Sequence, residues 1–162
     1  MEIEQLTEKH WREVSAIYAS GLATGHANFS SQVPGWAEWD NAHLKSCRIV
    51  MTDDGKVLGW AALTAISDRC VYAGVAEVSV YMAENARGSG IGKRLLNAIV
   101  DESEKNNLWT LEARIFAENL ASIKIHQANG FRIVGLRERI GQLNGIWRDT
   151  MLLERRSSKI GV

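Results

Sequence analysis

A chain of 162 residues has the length of one domain, and no stretch rich in Pro, Gly or Ser divides it. Hydrophobic residues make up 46%, with six Trp and one Pro, a composition that excludes a disordered chain. Lys plus Arg and Asp plus Glu number 19 each, so no net field exists to hold a polyanion, which speaks against a dedicated nucleic-acid binder.

Met1 to Leu6 alternates charged and apolar residues instead of opening on a positive stretch and an apolar run, and no segment has the length of a membrane span. The expectation is a soluble, cytoplasmic protein with neither membrane nor nucleic-acid partner. Glu2 to Leu6 reads as a short first strand. Thr7 then stands as N-cap before a helix whose Trp11, Val14, Ile17, Tyr18 and Leu22 share a face. Ser20 to Pro34 is small and polar around a lone Phe29 and reads as a loop, after which Trp36, Trp39 and Leu44 resume helical spacing. Cys47 to Met51 and Val57 to Ile66 are strands joined by the turn Asp53-Asp54-Gly55-Lys56, and Val75 to Met82 is a third. A helix carries Ile91, Leu95, Ile99 and Val100, followed by a strand at Trp109 to Phe116 and a helix at Leu120 to Ala128 that Gly130 stops. Phe131 to Ile140 and Ile146 to Leu153 close the chain as a hairpin through Leu143-Asn144-Gly145. The class is α+β, a mixed single domain over residues 1–155 with a basic tail at 156–162; Arg155, Arg156 and Lys159 read as a solvated end. Cys47 and Cys70 are isolated thiols, either free in a reducing compartment or paired, and His10, His26 and His43 share no spacing that suggests a metal site.

Chemistry concentrates at Arg87-Gly88-Ser89-Gly90-Ile91-Gly92-Lys93, between a strand and a helix. Three alternating glycines let the backbone turn tightly and aim several amide N–H groups at one point beside the positive end of a helix, while Arg87 and Lys93 add charge. The ligand this suits is a diphosphate. A Walker A loop fits poorly, because three residues rather than four separate Gly88 from Gly92 and Arg94 follows Lys93. The dinucleotide fingerprint fits poorly too, since the spacing is G-x-G-x-G and only about 70 residues remain for further crossovers.

Arg87-x-x-Gly90-x-Gly92 resembles the acyl-coenzyme A pyrophosphate motif of the GNAT acetyltransferases, and the order of elements is similar to theirs over essentially the whole chain. Ala76 to Met82, Asn119-x-x-Ser122-Ile123, His126-x-x-x-Gly130-Phe131, Ala27-Asn28-Phe29 with Pro34, and Gly145-x-Trp147-x-Asp149 resemble the phosphinothricin acetyltransferase branch. The resemblance implies a GNAT fold, with a central twisted, mostly antiparallel sheet flanked by helices. It also implies acetyl-coenzyme A (acetyl-CoA) as cosubstrate, without a metal, and a homodimer whose partner helps wall the acceptor site.

Residue by residue, the resemblance puts the pantetheine arm on the backbone of Val80, Tyr81 and Met82, and the diphosphate on Arg87, Gly88, Ser89, Gly90, Ile91, Gly92 and Lys93. Asn119 and Ser122 are contacts to the cofactor arm, or Asn119 is simply an N-cap. Glu77 is either the base that deprotonates an incoming ammonium or a strand-end salt bridge. His126 occupies the position where the class often has a Tyr acid; it donates a proton, hydrogen-bonds the sulfur, or is structural. Phe29, Arg69, Tyr72 and Trp147 border the acceptor pocket, with Arg69 suited to a carboxylate or phosphinate. The chain departs from relatives at Ala73 and Gly74, where a second Arg can stand, and at Val78, where some carry His. Three functions stay open: acetylation of the α-amine of a small amino-acid analogue such as phosphinothricin or methionine sulfoximine, acetylation of another amine such as a peptide N-terminus or polyamine, or acetyl-CoA binding without transfer.

Overall fold

In the computed structural model, which describes residues 1–162, β1 (Glu2–Gln5) pairs antiparallel with β2 (Arg48–Asp53), and β2 with β3 (Lys56–Ala65). The β2–β3 turn places Asp54 and Gly55 both in the left-handed region, at φ 47° and 76°, as a two-residue hairpin demands. β4 (Val75–Met82) runs antiparallel to β3, then β5 (Thr110–Phe116) lies parallel to β4, and β7 (Ile146–Arg156) and β6 (Arg132–Leu143) complete a seven-stranded sheet in the order β1-β2-β3-β4-β5-β7-β6. All but one of the pairings are antiparallel, so the sheet expected from the resemblance is the one observed. No helix is long and apolar enough to cross a membrane.

One face of the sheet buries Ile49, Met51, Leu63, Val78, Leu111, Ala113 and Ile115 against α3 (Ile91–Lys105), whose Ile91, Leu95, Leu96, Ile99 and Val100 supply the apolar stripe. The opposite face packs Val50, Trp60 and Ala62 under α1 (Trp11–Ala23) and α2 (Trp36–Ala42), with Trp39 almost fully buried. Two local expectations change. The helix α1 continues through Gly21 to Ala23, where a loop from Ser20 was expected; Gly21 serves a close approach rather than a helix stop, since a Cβ there would lie 2.7 Å from the Tyr81 ring. Thr7 opens a 3₁₀ turn, Glu8–His10, that precedes α1, and its N–H donates to His10 Nδ1 at 3.1 Å.

The C-terminal tail is docked. Ser157 N–H donates to the Trp109 carbonyl, and the Arg156 guanidinium donates to the carbonyls of Ile160 and Gly161. Arg155 (3.1 Å) and Lys159 (3.2 Å) both pair with buried Glu104, whose carboxylate also accepts from Ser157 Oγ. The solvated end expected from composition holds for the exposed side chains of Arg156 and Lys159, whereas Arg155 is drawn inward by a carboxylate removed from water on α3. Cys47 is buried, Cys70 is exposed, and both are free.

Candidate active site

The site exists because β4 and β5 part company. Their parallel register covers only Val75↔Thr110, Ala76↔Leu111 and Glu77↔Glu112. Beyond Glu77 the strands diverge. Ile66 N–H donates to Val75 O and Ala83 N–H to Leu58 O, so the odd-numbered residues of β4 turn their main chain to β3. Val80 and Met82 therefore present unpaired N–H and C=O groups to the gap, whereas the Tyr81 main chain stays in the β3 ladder. An exposed ladder of this kind accepts another extended, amide-bearing chain. The gap is a cleft of about 640 Å³, and its walls include Glu77, Tyr81, Met82, Asn119, Ser122 and His126.

At one end of the cleft lies the glycine turn. Gly88 and Gly90 have φ of 75° and 82°, and a Cβ built on either would meet nothing within 4 Å, so the space over them is open to a ligand. Gly92 differs: its Cβ would lie 2.6 Å from Met82 Sδ, so a side chain there would push the flexible end of Met82 aside, and the space above it is not open. Ser89 turns its hydroxyl back to the Ala86 carbonyl and Ile91 is buried in the core, leaving these two only amides to offer. Arg87, Lys93 and Lys124 of α4 (Leu120–Ala128) line the same end. The unpaired first-turn amides of α3 and three cations suit a diphosphate, and the free β4 edge suits the amide-bearing arm of coenzyme A. The residues present fit acetyl-CoA.

Glu77 stands at the other end. Burial raises its carboxyl above the ordinary glutamate range, the Arg114 guanidinium opposes that shift, and the Glu112 carboxylate adds to it. Arg114 Nε is 3.1 Å from Glu77 Oε2, yet no N–H points at that oxygen, so the pair is a charge contact without a hydrogen bond. On α4, Asn119 Oδ1 accepts from Ser122 N–H at 3.2 Å, an N-cap, and its Nδ2 donates to the His26 carbonyl at 3.3 Å. His126 Nδ1 lies 2.7 Å from the Ser122 carbonyl oxygen. A carbonyl only accepts, so Nδ1 carries hydrogen, and burial holds the ring below the ordinary histidine range. In the neutral ring Nε2 therefore has a lone pair and no proton to give.

The connection from Thr24 to Gly35 roofs this end. Asn28 Nδ2 donates to Tyr81 Oη at 2.8 Å, and Tyr81 is stacked on Trp60 in the core, so the loop is fastened to packed aromatics. Burial pushes the Tyr81 phenol well above its ordinary value. Arg148 is the second fastening. It donates to the Gly25 carbonyl at 2.8 Å and pairs with Glu118, and its guanidinium lies 4.0 Å from the centre of the Phe116 ring. A second cleft of about 530 Å³ opens under the loop and shares Ala27, Asn28, Glu77 and Arg114 with the first. Its other walls include Phe29, Phe116, Arg137 and Thr150, with Phe29 edge-on to Phe116.

Of the residues expected around an acceptor, Phe29 lines this second cleft. Arg69, Tyr72 and Trp147 line neither cleft in one protomer. Arg69 sits over the Tyr72 ring at 5.6 Å on a 3₁₀ turn, and both Tyr72 and Trp147 are exposed. Sequence reasoning did not single out Arg114, Arg137, Lys124 or Arg148. Arg114 alternates with buried Leu111, Ala113 and Ile115, a pattern that signals only a solvent-facing side chain.

Residues 40–152 match the Acetyltransferase (GNAT) domain family. The chain is 34% identical over 148 residues to a phosphinothricin N-acetyltransferase of Alcaligenes faecalis, covering 88% of this chain and 75% of that protein. It is also 34% identical over 100 residues to an L-methionine sulfoximine/L-methionine sulfone acetyltransferase of Pseudomonas paraeruginosa, covering 62% of this chain and 58% of that one. The crystal structure of a phosphinothricin acetyltransferase from Sinorhizobium meliloti in complex with acetyl-CoA superposes with a TM-score of 0.87 at 28% identity, covering 99% of this chain and 90% of that one. The chain belongs to the GNAT family and is an acetyl-CoA-dependent N-acetyltransferase.

Proposed function

We propose that this enzyme transfers the acetyl group of acetyl-CoA to the α-amine of a small amino-acid analogue of the phosphinothricin or methionine sulfoximine kind. The observation that carries the reading is the position of Glu77 where the two clefts meet, with a cofactor-sized groove on one side and a small cleft bearing two guanidinium groups on the other. The kind of acceptor is suggested by what the two relatives are named for. Acetyl-CoA supplies an activated thioester. Glu77, with its proton affinity raised by burial, takes one proton from the ammonium, and the freed nitrogen lone pair attacks the acyl carbon. Val80 N–H, the first unpaired main-chain donor on β4 past the base, is available to the acyl oxygen as negative charge develops there. As the carbon–sulfur bond breaks, the nitrogen sheds its second proton, and one proton goes to the departing sulfur. The products are an amide, free coenzyme A and one proton returned to solvent through Glu77.

The diphosphate rests on the amides of Gly88 to Lys93 with Arg87 alongside, and Ser122 and Asn119 border the pantetheine path. His126 in its neutral form accepts a hydrogen bond at Nε2 instead of donating a proton. The protein acts as a homodimer in the cytoplasm. Ile133, Val134, Leu136, Ile140, Ile146 and Trp147 are exposed apolar side chains on both faces of the β6–β7 hairpin at the sheet edge, which a second copy would cover, and across such a boundary Arg69, Tyr72 and Trp147 could approach an acceptor. Sedimentation of a monomer at micromolar concentration would remove this part of the proposal. Two free thiols accord with a reducing compartment.

The direct test is a screen of amino acids and their sulfoximine, sulfone and phosphinate analogues, following coenzyme A release. Glu77→Gln is expected to lower turnover on the best acceptor by about 100-fold or more near neutral pH, the scale of general-base assistance. The loss shrinks at high pH, where free amine needs no base. A preference for peptide N-termini or polyamines would retain the transferase and replace the acceptor. A wild-type rate for Glu77→Gln across the pH range would move the base elsewhere.

A further inference from the structure

The geometry assigns a second function to Arg114: it is the receptor for the acceptor's carboxylate, and by exchanging Glu77 for that carboxylate it frees the base only when an anionic acceptor is in place. This inference rests on the amino-acid reading above and deepens it.

Glu77 and Glu112 are register partners on adjacent strands, so their side chains lie on one face of the sheet, and Arg114 is the next residue of β5 on that face. Its Nε lies 3.1 Å from Glu77 Oε2 and its Nη2 lies 3.6 Å from Glu112 Oε2. One cation thus serves two carboxylates, and the group as a whole is one positive charge short. A guanidinium carries five N–H donors in a rigid fork, and none of these is committed to Glu77 by a hydrogen bond. With a side chain 45% exposed at the shared wall of both clefts, Arg114 can turn to an incoming anion. Arg137 of β6 lines the same small cleft and supplies a second positive charge.

The close approach of Glu77 to Arg114 also defines the ligand. An anion and a cation in contact match a zwitterion whose ammonium and carboxylate sit on a single carbon, the ammonium taken by Glu77 and the carboxylate by the fork. An α-amino acid has that spacing. A polyamine offers no anion, and an internal peptide carboxylate lies too far from its N-terminus. The charged or titratable groups around Glu77 are Arg114 and Glu112 from β5, Tyr81 from its own strand, Arg137 from β6 across the cleft, and His26 on the roofing loop, itself held at Arg148. Of these, the Arg114 guanidinium alone is in contact with the base and holds its proton affinity down. A bound carboxylate offsets that charge, so Glu77 becomes the stronger base at the moment its ammonium partner arrives.

The test compares kcat/KM for the best amino-acid acceptor with that for its α-carboxamide, which keeps the amine and lacks the anion. The wild type is expected to favour the acid by about 10- to 150-fold, the scale of a charged hydrogen bond. Arg114→Gln brings the ratio down to within a few-fold of unity and moves the acidic limb of the kcat/KM profile for the carboxamide to higher pH, since Glu77 loses its neighbouring cation. Arg114→Lys, which keeps the charge without the fork, retains the limb and part of the ratio. Should Arg114→Gln fail to fold because Glu77 and Glu112 then repel each other, Glu112→Gln/Arg114→Gln relieves the repulsion and carries the same measurement. An acid-to-amide ratio unchanged by loss of the guanidinium overturns the assignment alone. A wild type that turns over no amino acid overturns the acceptor reading beneath it.

Discussion

Burial lifts the Glu77 carboxyl above its ordinary range, and this bears on stability as well as on rate. A carboxyl whose folded-state proton affinity exceeds its unfolded one costs the fold stability once pH rises above the unfolded value. The cost grows until pH passes the folded value. Glu77→Gln should therefore melt at a higher temperature than the wild type at pH 8, and the gap should close as pH falls below the ordinary glutamate range. Calorimetry across pH 4 to 8 checks the sign. A melting temperature lowered at pH 8 would mean that the contact with Arg114 outweighs desolvation. The carboxylate proposed as the base then also limits stability, a compromise common at active sites. His126 shows how a residue can be legible in sequence while its chemistry is not. Its place on α4 follows from the resemblance, but its tautomer depends on Nδ1 meeting a carbonyl one turn back, at 2.7 Å.

At the level of elements, the glycine turn was readable because every signal in it is local: a strand, alternating glycines, a helix start. Gly90→Val should show the two demands on that turn separately. A branched residue at φ 82° costs about 1 to 2 kcal/mol of backbone strain, or roughly 2 to 8 °C in melting temperature for a domain of this size. It also fills the open space above the amides, so acetyl-CoA affinity by calorimetry should fall by about tenfold or more, the equivalent of one charged hydrogen bond. Gly90→Asn, a residue that tolerates the left-handed region, should keep the melting temperature and still bind weakly. Full affinity in that variant would assign the effect to strain alone. The hairpins were legible for the same local reason, with Asp54-Gly55 and Asn144-Gly145 all at positive φ. The second cleft was not. Arg114 reads as a solvent-facing position on an ordinary strand, and it faces a cleft only because β4 diverges from β5 after Glu77. Arg69, placed beside the acceptor by resemblance and by its nearness in sequence to β4, caps a 3₁₀ turn on the exposed surface of one protomer, so sequence nearness alone does not bring it to Glu77.

For the molecule as a whole, the tail belongs to the fold. Glu104 is 7% exposed, and although burial pushes its carboxyl up, Ser157, Lys159 and Arg155 outweigh that and hold it below the ordinary range. Its stabilisation is therefore present above the ordinary glutamate range and is lost as pH falls through the depressed folded value. Deleting residues 157–162 removes two of those three partners, with an expected cost of about 1 to 3 kcal/mol, or roughly 2 to 12 °C by thermal melt. Unaltered melting would return the tail to the solvated role that composition suggested. No pattern in the sequence pairs Glu104 with residues more than fifty positions away, so this contact could not be foreseen. The fold has a further property at the seam between β4 and β5. Three residue pairs join the half of the sheet containing β1 to β4 to the half containing β5 to β7, and past them lies a slot edged by unpaired amides. A molecule hydrogen-bonded along β4 and touching α4 acts as a tie rod between the halves. The protein's resistance to heat and protease then follows the supply of its own cosubstrate, rising by about 2.7 kcal/mol when the free concentration reaches one hundred times the dissociation constant. In a cell starved of acetyl-CoA, the enzyme would be cleared faster, so its abundance would track the metabolite it consumes.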